Sequence, residues 1–262
     1  MTVNYQQLSK EVGSIARQAG AVIMDIYKNE ADFGIEHKLD NSPLTRADKA
    51  ANDVINEGLK KLPFQAPILS EENKAIPYAN RKNYDYFWMV DPLDGTKEFI
   101  KRNGEFTVNI ALIHKNSVVF GVVYVPVLKE LYWAAKNQGA YAYIGETEKN
   151  LKAAQFHIKD AHLKVVASRS HLNDDTKVFV EQLNKPELVS KGSSLKLLLI
   201  ASGQAHLYPR LAPTMEWDTA AAQIVVEEAG GQVLQAGTDK AVVYNKENLL
   251  NPYFLCKGNE QK

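Results

Sequence analysis

The chain has 262 residues, enough to bury a sizeable core as one compact unit or as two closely packed halves. Lys plus Arg and Asp plus Glu number 31 each, so the net charge does not favour nucleic acid or a membrane as the main partner. Cys256 is the only cysteine, which excludes an intrachain disulfide and indicates a reducing compartment.

These features predict a cytoplasmic location. The first residues lack a basic segment followed by an apolar one, so we expect no secretory signal. No apolar run approaches the roughly 18 residues needed to span a bilayer, so we expect no transmembrane segment.

The first part of the chain predicts two helices followed by a meandering sheet. Apolar residues from Leu8 to Ile26 recur at alternating spacings of four and three, typical of an amphipathic helix. Thr45 begins a second helical pattern that ends near Pro63. A short apolar segment at 67–70 comes next, and further runs predict antiparallel strands at residues 86–90, 106–113, 118–125 and 131–135.

The second part alternates short strands with helices, which indicates an α/β layer. The predicted strands lie at 164–167, 187–189 and 205–208, and the predicted helices at 174–183, 194–201 and 218–229. A polar stretch at 145–152 lacks apolar periodicity, so we divide the chain into halves at residues 1–148 and 149–262. Clefts between such halves are common ligand sites.

Two carboxylates follow the apolar run at 86–90. Pro92 fixes its own φ and Gly95 permits unusual backbone angles, which suits a tight turn. Such a turn can bring Asp91, the Leu93 carbonyl and Asp94 around one point. Oxygen ligands of this kind suit Mg²⁺ rather than zinc or copper. The alternative is that Asp-Pro-x-Asp-Gly is only favourable turn chemistry.

Three other acidic positions have structural explanations of their own. Taken alone, Glu71 and Glu72 after the short strand are better explained as a solvated charge pair. Asp218 at the start of a helix fits an N-cap. Asp48 follows Thr45 at the spacing of a capping box. None of these motifs identifies an enzyme by itself.

Together the motifs resemble the lithium-sensitive, magnesium-dependent phosphatase superfamily that includes inositol monophosphatase, fructose-1,6-bisphosphatase and 3′(2′),5′-bisphosphate nucleotidase. The family pattern is Glu-Glu after a strand, then Asp-Pro-hydrophobic-Asp-Gly-Thr/Ser, then Trp-Asp far downstream. Here these are Glu71-Glu72, residues 91–96 and Trp217-Asp218, in the same order. The resemblance covers nearly the whole chain. It implies a mixed α+β and α/β fold, a layered αβαβα sandwich in which an N-terminal antiparallel sheet with its helices packs on a C-terminal α/β half.

The resemblance also implies a metal centre, with most of its ligands in the first half. One Mg²⁺ is expected to be held by Glu71, Asp91 and the Leu93 carbonyl. A second is expected to be held by Asp91, Asp94 and Asp218, so that Asp91 bridges the pair.

Roles in catalysis follow from the same resemblance. Thr96 and Asp48 are expected to orient and deprotonate the attacking water, with Glu71 beside them. A third, more weakly held magnesium is expected at Asp48. Cys256 and the histidines offer a rival covalent route, but no nucleophile-elbow, Walker-type or HExxH pattern accompanies them.

Within the superfamily, the second half resembles the bisphosphate nucleotidases, which remove the 3′-phosphate of adenosine 3′,5′-bisphosphate to leave AMP. The segments that carry this match are 168–171, 192–196, 207–210 and 213–221. A bisphosphorylated nucleotide needs a second anion site, and Ser193, Lys196 and Arg210 supply hydroxyl and charged donors for one. The helix that begins near Ser194 is expected to add free backbone N–H groups.

The nucleotide contacts have alternatives too. Ser193 fits a helix cap, and Lys196 and Arg210 fit solvated surface charges. His171 is either a substrate contact or an ordinary polar loop histidine. The remaining residues expected to line the substrate site are Glu71, Leu93, Asp94, Gly95, Thr96 and Asp218.

Three functions compete on these grounds. The first is a Mg²⁺-dependent 3′-phosphatase acting on adenosine 3′,5′-bisphosphate and on its sulfated relative in sulfate assimilation. The second is an inositol or sugar monophosphatase with the same metals, and the third is a nucleotide-sensing protein without turnover. The complete ligand set argues against the third.

The expected partner is a small nucleotide bisphosphate substrate rather than a nucleic acid, and both a monomer and a homodimer remain open. Family members are sometimes located at the inner face of the bacterial membrane. The sequence shows no anchor or basic amphipathic helix, so the cytoplasm is the expected location, with peripheral association left open.

Overall fold

The computed structural model describes residues 4–29, 33–38, 43–145, 147–167 and 173–261. Within these ranges, no helix combines the length and apolar character needed to cross a membrane. The helices of the described residues are α1 Tyr5–Asn29, α2 Arg46–Lys61, α3 Tyr78–Arg81, α4 Thr96–Ile100, α5 Asp174–Glu181, α6 Leu195–Ala201 and α7 Glu216–Glu228. The strands are β1 Glu36–His37, β2 Pro43–Leu44, β3 Ile68–Ser70, β4 Tyr86–Asp94, β5 Thr107–His114, β6 Ser117–Val125, β7 Glu130–Ala135, β8 Gly139–Ile144, β9 Thr147–Asn150, β10 Gln155–Phe156, β11 Lys164–Val166, β12 Glu187–Val189, β13 Leu207–Arg210, β14 Gln232–Gln235, β15 Phe254–Lys257 and β16 Asn259–Glu260.

The first large sheet has seven strands in the order β3-β4-β5-β6-β7-β8-β9. β3 runs parallel to β4, and all the other pairs in this sheet are antiparallel. The predicted antiparallel meander is confirmed, and β8 and β9 extend it beyond the prediction. All four residues of β9 are exposed and polar, so the strand carries no apolar alternation that a sequence pattern could detect.

The second large sheet has five strands in the order β12-β11-β13-β15-β14. β12, β11 and β13 are parallel, whereas β13, β15 and β14 are antiparallel. The predicted α/β layer is confirmed for the parallel strands. The antiparallel pair at its edge was not predicted. Two small pairs, β1-β2 and β10-β16, complete the strand pairing of the described residues.

The helices and sheets form an αβαβα sandwich. α1 and α2 pack on one face of the first sheet, and α7 packs on the opposite face. α6 and α7 lie between the two sheets, and α5 packs against β13 on the outer side of the second sheet. The sandwich implied by the sequence resemblance is confirmed.

Burial explains the different compositions of the helices. On α1 the fully buried residues Val12, Ala16, Ala19 and Ile23 form one stripe, because only one face of the helix meets the sheet. On α7 residues 219–226 are all buried, because this helix lies between two sheets. A helix in that position needs apolar or internally bonded side chains on every face.

The predicted boundary after residue 148 falls within β9, which pairs with β8. The first sheet therefore continues through Asn150. The division into two halves stays a prediction.

Gly121 tests how closely α7 approaches the first sheet. A Cβ there would lie 2.5 Å from the Ala221 carbonyl oxygen and 2.7 Å from Cγ2 of Ile224. Gly121→Ala is expected to lower the free energy of unfolding by about 1–3 kcal/mol, because it overpacks this contact. Urea unfolding monitored by circular dichroism measures the change.

Gly13→Ala in α1 is the matched control. Its added Cβ would make only an ordinary contact of 3.4 Å with Leu131. Since alanine also suits a helix interior better than glycine, this variant is expected to be neutral or more stable by up to about 1 kcal/mol. Equal destabilisation by both substitutions would contradict the close approach.

Candidate functional site

A cavity of about 810 Å³ lies at the ends of β4 and β13, and residues of both predicted halves line it. Apart from Asp48, which lies behind Thr96, every predicted site residue in the described ranges contributes to its wall. His171 lies outside the described residues. The predicted residues in the wall are Glu71, Asp91, Leu93, Asp94, Gly95, Thr96, Ser193, Lys196, Arg210 and Asp218.

β4 carries the Asp-Pro-Leu-Asp segment into the cavity. The prediction that a turn begins at Asp91 is wrong, because the strand continues to Asp94 and its pairing with β5 is only interrupted between these two residues. At the interruption Asp91 Oδ1 accepts a hydrogen bond from the Leu93 N–H at 3.1 Å. The sharp turn comes at Gly95, whose φ of 96° favours glycine.

Three carboxylates meet at the end of this strand. Glu71 after β3, Asp91 on β4 and Asp218 on α7 each present an oxygen, and these oxygens all lie within 4.8 Å of one another. Burial raises the pKa of Asp91 well above its ordinary value, and the charges of Glu71 and Asp94 raise it further. Burial and the charge of Asp94 raise the pKa of Asp218 to about 8.

This cluster fits a divalent cation. Buried like charges raise one another's pKa values, and a cation among them removes that repulsion. The donors are all oxygens, which Mg²⁺ prefers. The described residues therefore form a site that can bind a metal ion, with Glu71, Asp91 and Asp218 as its core.

Lys38 neutralises part of the cluster. Its Nζ lies 2.6 Å from Glu71 Oε1 and 2.6 Å from Glu72 Oε1. Although burial opposes it, these two carboxylates raise the pKa of Lys38. The Glu72 side chain is only 8% exposed, so the alternative of a solvated Glu-Glu pair is wrong.

Asp218 has two roles at the start of α7. Its Oδ2 accepts a hydrogen bond from the Met215 N–H at 2.9 Å, so it satisfies a free donor of the first turn. The N-cap position itself belongs to Met215. The alternative of Asp218 as the N-cap is therefore wrong. Asp218 lies at N3, where its bond to the Met215 N–H is compatible with a place in the carboxylate cluster.

Asp48 also combines two roles. Its Oδ2 accepts hydrogen bonds from the Thr45 N–H at 2.7 Å and the Thr45 hydroxyl at 2.6 Å, which confirms the predicted capping box. Its Oδ1 accepts one from the Thr96 hydroxyl at 3.0 Å. Burial raises the pKa of Asp48. A role as ligand of a third magnesium stays a prediction.

A polar network that the sequence analysis missed holds the Glu71 loop against α2. The Ser70 hydroxyl donates to Asn52 Oδ1 at 2.7 Å, and Asn52 Nδ2 donates to Asn73 Oδ1 at 2.9 Å. Asn52 lies one turn after Asp48, so the same helix face positions both. Buried polar residues at spacings of four on an otherwise apolar face were the signal for this network.

Asp94 lies outside the three-carboxylate group, and one of its oxygens is bonded to residues of the second half. Its Oδ2 accepts hydrogen bonds from the Ser193 hydroxyl and the Ser194 N–H, both at 2.6 Å. The expectation of a free N–H at Ser194 is therefore wrong. α6 is a short helix, and the N–H groups of Lys196 and Leu197 already donate to the carbonyls of Ser193 and Ser194.

Two basic side chains lie in the same cavity wall. Lys196 and Arg210 are partly buried there, so the alternative of solvated surface charges is wrong. Burial lowers the pKa of Lys196 to about 8, although the charge of Asp94 opposes this. Arg210 donates from Nη2 to the Pro213 carbonyl at 3.0 Å, and its buried Nε has no partner among the described residues.

The rival covalent route finds no support. Cys256 is fully buried on β15, and burial raises the pKa of its thiol well above the ordinary value. A thiol in this state is a poor nucleophile.

A sequence profile of the inositol monophosphatase family matches residues 4–259. The chain belongs to this family. The crystal structure of CysQ from Bacteroides thetaiotaomicron, a bacterial member of the inositol monophosphatase family, has a TM-score of 0.87 to this structure at 44% identity. The match covers 99% of this chain and 100% of that one. The fold implied by the sequence motifs is confirmed.

Two curated relatives share the name 3′(2′),5′-bisphosphate nucleotidase CysQ. The protein from Salmonella typhimurium (strain LT2) is 45% identical over 247 residues, which cover 94% of this chain and 97% of the relative. The protein from Escherichia coli (strain K12) is 44% identical over 246 residues, which cover 93% of this chain and 97% of the relative. The resemblance to the bisphosphate nucleotidases is thereby confirmed.

Substitution of Gly95 tests how tightly the turn after β4 packs against its neighbours. A Cβ there would lie 3.0 Å from the Glu105 carbonyl oxygen and 3.3 Å from Ser193 Cβ, on a backbone with positive φ. Gly95→Ala is expected to lower phosphatase kcat/KM on the order of 100-fold, because it displaces Asp94 and Thr96.

Gly230→Ala provides the control for backbone strain alone. Gly230 has a similar φ of 93°, and its added Cβ would meet nothing within 4 Å. This variant is expected to lose stability in thermal unfolding but to keep its kcat/KM. An active Gly95→Ala enzyme would contradict the tight packing around the turn.

Proposed function

We propose that this protein is a Mg²⁺-dependent phosphatase that removes the 3′-phosphate of adenosine 3′,5′-bisphosphate (PAP), leaving AMP and phosphate. We also propose that it acts on the sulfated relative PAPS and supports sulfate assimilation. One observation carries the proposal: a single cavity holds both the carboxylate cluster and the basic pair Lys196 and Arg210. The first suits a phosphoryl group at a metal site, and the second suits another anion on the same substrate.

The carboxylate cluster provides the metal site of this proposal. Glu71, Asp91, Asp94, Asp218 and the Leu93 carbonyl would hold two Mg²⁺ ions, with Asp91 as the shared ligand and a third ion near Asp48. Bound Mg²⁺ supplies positive charge to the phosphoryl oxygens and lowers the pKa of a water molecule.

The Thr96–Asp48 pair provides the base. Because the Thr96 hydroxyl donates to Asp48 Oδ1, its own oxygen can accept a proton from a water in the cavity. Burial raises the pKa of Asp48, so its carboxylate is a stronger base than an exposed one. As the water oxygen bonds to phosphorus, its proton passes to Thr96 and the Thr96 proton passes to Asp48. The bond from phosphorus to the 3′-oxygen breaks, and that oxygen keeps the electron pair and takes a proton from solvent.

The second anion site provides specificity. Lys196 and Arg210 would bind the 5′-phosphate, with the Ser193 hydroxyl near them at the start of α6 and His171 as a further contact. A simple inositol or sugar monophosphate has no second phosphate for this pair. A nucleotide sensor without turnover would not need the Thr96–Asp48 pair. A cytoplasmic location, peripheral membrane association and the monomer or dimer state stay predictions.

Phosphate release tests the proposal directly. With Mg²⁺, the wild type is expected to release phosphate from PAP much faster than from inositol 1-phosphate, and EDTA is expected to stop release. Asp91→Asn is expected to lower kcat by more than about 100-fold, because Asp91 is the proposed shared ligand. Asp239→Asn changes an exposed carboxylate outside the cavity and is expected to keep normal activity. A faster rate on inositol 1-phosphate would reject the nucleotide substrate, and an active Asp91→Asn enzyme would reject the shared ligand.

Lys196 tests the second anion site. Lys196→Met is expected to raise KM for PAP about 10-fold or more, because it removes a charged contact to the 5′-phosphate. Its KM for adenosine 3′-monophosphate, which lacks that phosphate, is expected to change less than about twofold. Lys159→Met, an exposed lysine outside the cavity, is the control. Equal losses on both substrates would show that Lys196 does not bind the second phosphate.

The pKa of Lys196 adds a pH test of the same role. With a pKa lowered to about 8, the side chain loses its charge as pH rises through 8. The kcat/KM for PAP is therefore expected to fall above about pH 8. Arginine stays charged throughout this range, so Lys196→Arg is expected to abolish that fall. An unchanged profile in Lys196→Arg would assign the fall to another group.

A further inference from the structure

Two buried polar residues lie in strand β5 among apolar neighbours. Thr107 and Asn109 lie two positions apart, so their side chains point to the same face of the sheet. They are 0% and 1% exposed. Buried polar groups in a sheet need hydrogen-bond partners. The partners of these two side chains lie at the end of β4 and just before α6.

Thr107 contacts both serines that precede α6. Its Oγ1 lies 2.6 Å from Ser193 Oγ and 2.7 Å from Ser194 Oγ. Asn109 Oδ1 accepts hydrogen bonds from Ser194 Oγ at 2.9 Å and from Thr107 Oγ1 at 3.2 Å. Asn109 Nδ2 faces Asp94 Oδ2 at 3.4 Å. We call these five residues, Asp94, Thr107, Asn109, Ser193 and Ser194, the bridging network.

Several hydrogen-bond donors of the bridging network point to the Asp94 carboxylate. A carboxylate only accepts, so Ser193 gives its single hydroxyl proton to Asp94 Oδ2. Thr107 also has a single hydroxyl proton, so it donates to only one of Ser193 Oγ, Ser194 Oγ and Asn109 Oδ1 at a time, while Ser194 can donate to Asn109. Asp94 Oδ2 accepts hydrogen bonds from both the Ser193 hydroxyl and the Ser194 N–H. The orientation of this carboxylate therefore depends on residues 192–194, which we call the serine loop.

The serine loop is held in an uncommon conformation. Ser193 has a φ of 52°, in the left-handed region that non-glycine residues rarely adopt. The preceding residue, Gly192, donates its N–H to Glu105 Oε2 at 2.9 Å. Such a backbone persists only where surrounding contacts stabilise it, and here those contacts come from β5 and the residues just before it.

We propose that Thr107 and Asn109 are positioning residues that couple nucleotide binding at Ser193 and Lys196 to Mg²⁺ binding at Asp94. This inference rests on the proposed function. A nucleotide that fixes the serine loop also fixes the Asp94 carboxylate in its metal-binding orientation. Because such coupling is reciprocal, Mg²⁺ and nucleotide each tighten the binding of the other.

Calorimetry without turnover measures the coupling. Mg²⁺ is titrated into the full-length protein alone and in the presence of saturating AMP, the product nucleotide that carries the 5′-phosphate. In the wild type, AMP is expected to tighten Mg²⁺ binding by about 5-fold or more, within the usual range of coupling between sites. Thr107→Val keeps the shape but removes the hydroxyl, and it is expected to reduce this effect to less than about twofold.

Conservative and remote variants separate coupling from stability. Thr107→Ser restores a hydroxyl at the same position and is expected to restore the coupling. Ser9→Ala removes a buried hydroxyl that donates to the Gln6 carbonyl in α1, and it is expected to leave the coupling unchanged. A purely structural role for Thr107 would lower the melting temperature of Thr107→Val while its coupling stayed at the wild-type value.

Two results would overturn the inference: wild-type coupling in Thr107→Val, or no effect of AMP on Mg²⁺ binding in the wild type. If Thr107→Val does not fold, Ser194→Ala serves instead, because it removes the hydroxyl that joins Thr107 and Asn109. Its coupling is expected to be weakened, and unchanged coupling would overturn the inference. PAP hydrolysis is measured separately. An active wild type without coupling overturns only this inference, whereas an inactive wild type with Thr107-dependent coupling supports it and rejects the proposed function.

Discussion

Repulsion among buried carboxylates is the constraint on which the rest of this structure depends. Glu71, Asp91 and Asp218 present oxygens within 4.8 Å of one another, and Asp91 is only 1% exposed. Burial raises the pKa values of all three, and neighbouring carboxylates raise them further. Protons or a bound cation relieve such repulsion, so a divalent cation would stabilise the cluster that these elements hold together. Without a cation, repulsion among the carboxylates destabilises the folded site. A metal ion bound there would polarise the oxygens of a phosphoryl group.

The fold supplies that rigidity by bringing together elements that are distant in the sequence. β3 ends at Ser70 opposite Val90 of β4, so Glu71 and Asp91 follow side by side, while α7 crosses the other face of the sheet and presents Asp218. Hydrogen bonds then hold the loop after β3 and the turn after β4 in place. Asn52 joins the β3 loop to α2, and the bridging network joins the β4 turn to α6. The side chains proposed to bind nucleotide and those proposed to bind metal therefore share their supports.

The sequence predicted the parts of this arrangement that leave a local pattern. Apolar periodicity located α1 and α2, and the order of the acidic motifs identified the family and the residues of the cavity. It did not predict β9, whose residues are all exposed and polar. Nor did it show that Asp94 binds the Ser194 N–H, since that contact joins residues 100 positions apart and depends on how the two sheets pack. Nor did it single out Thr107 and Asn109, because their partners lie in other elements of the fold.

The most direct test of the account is the stability of the wild-type protein as a function of Mg²⁺ concentration. Urea unfolding at constant ionic strength would be measured in EDTA and across a series of Mg²⁺ concentrations. Because metal binds the folded cluster, the free energy of unfolding should rise by about 1.4 kcal/mol per tenfold increase in Mg²⁺ for each ion bound, once binding is saturated. The slope would also count the ions. A free energy of unfolding that does not respond to Mg²⁺ would contradict the claim that the carboxylate cluster is a metal site.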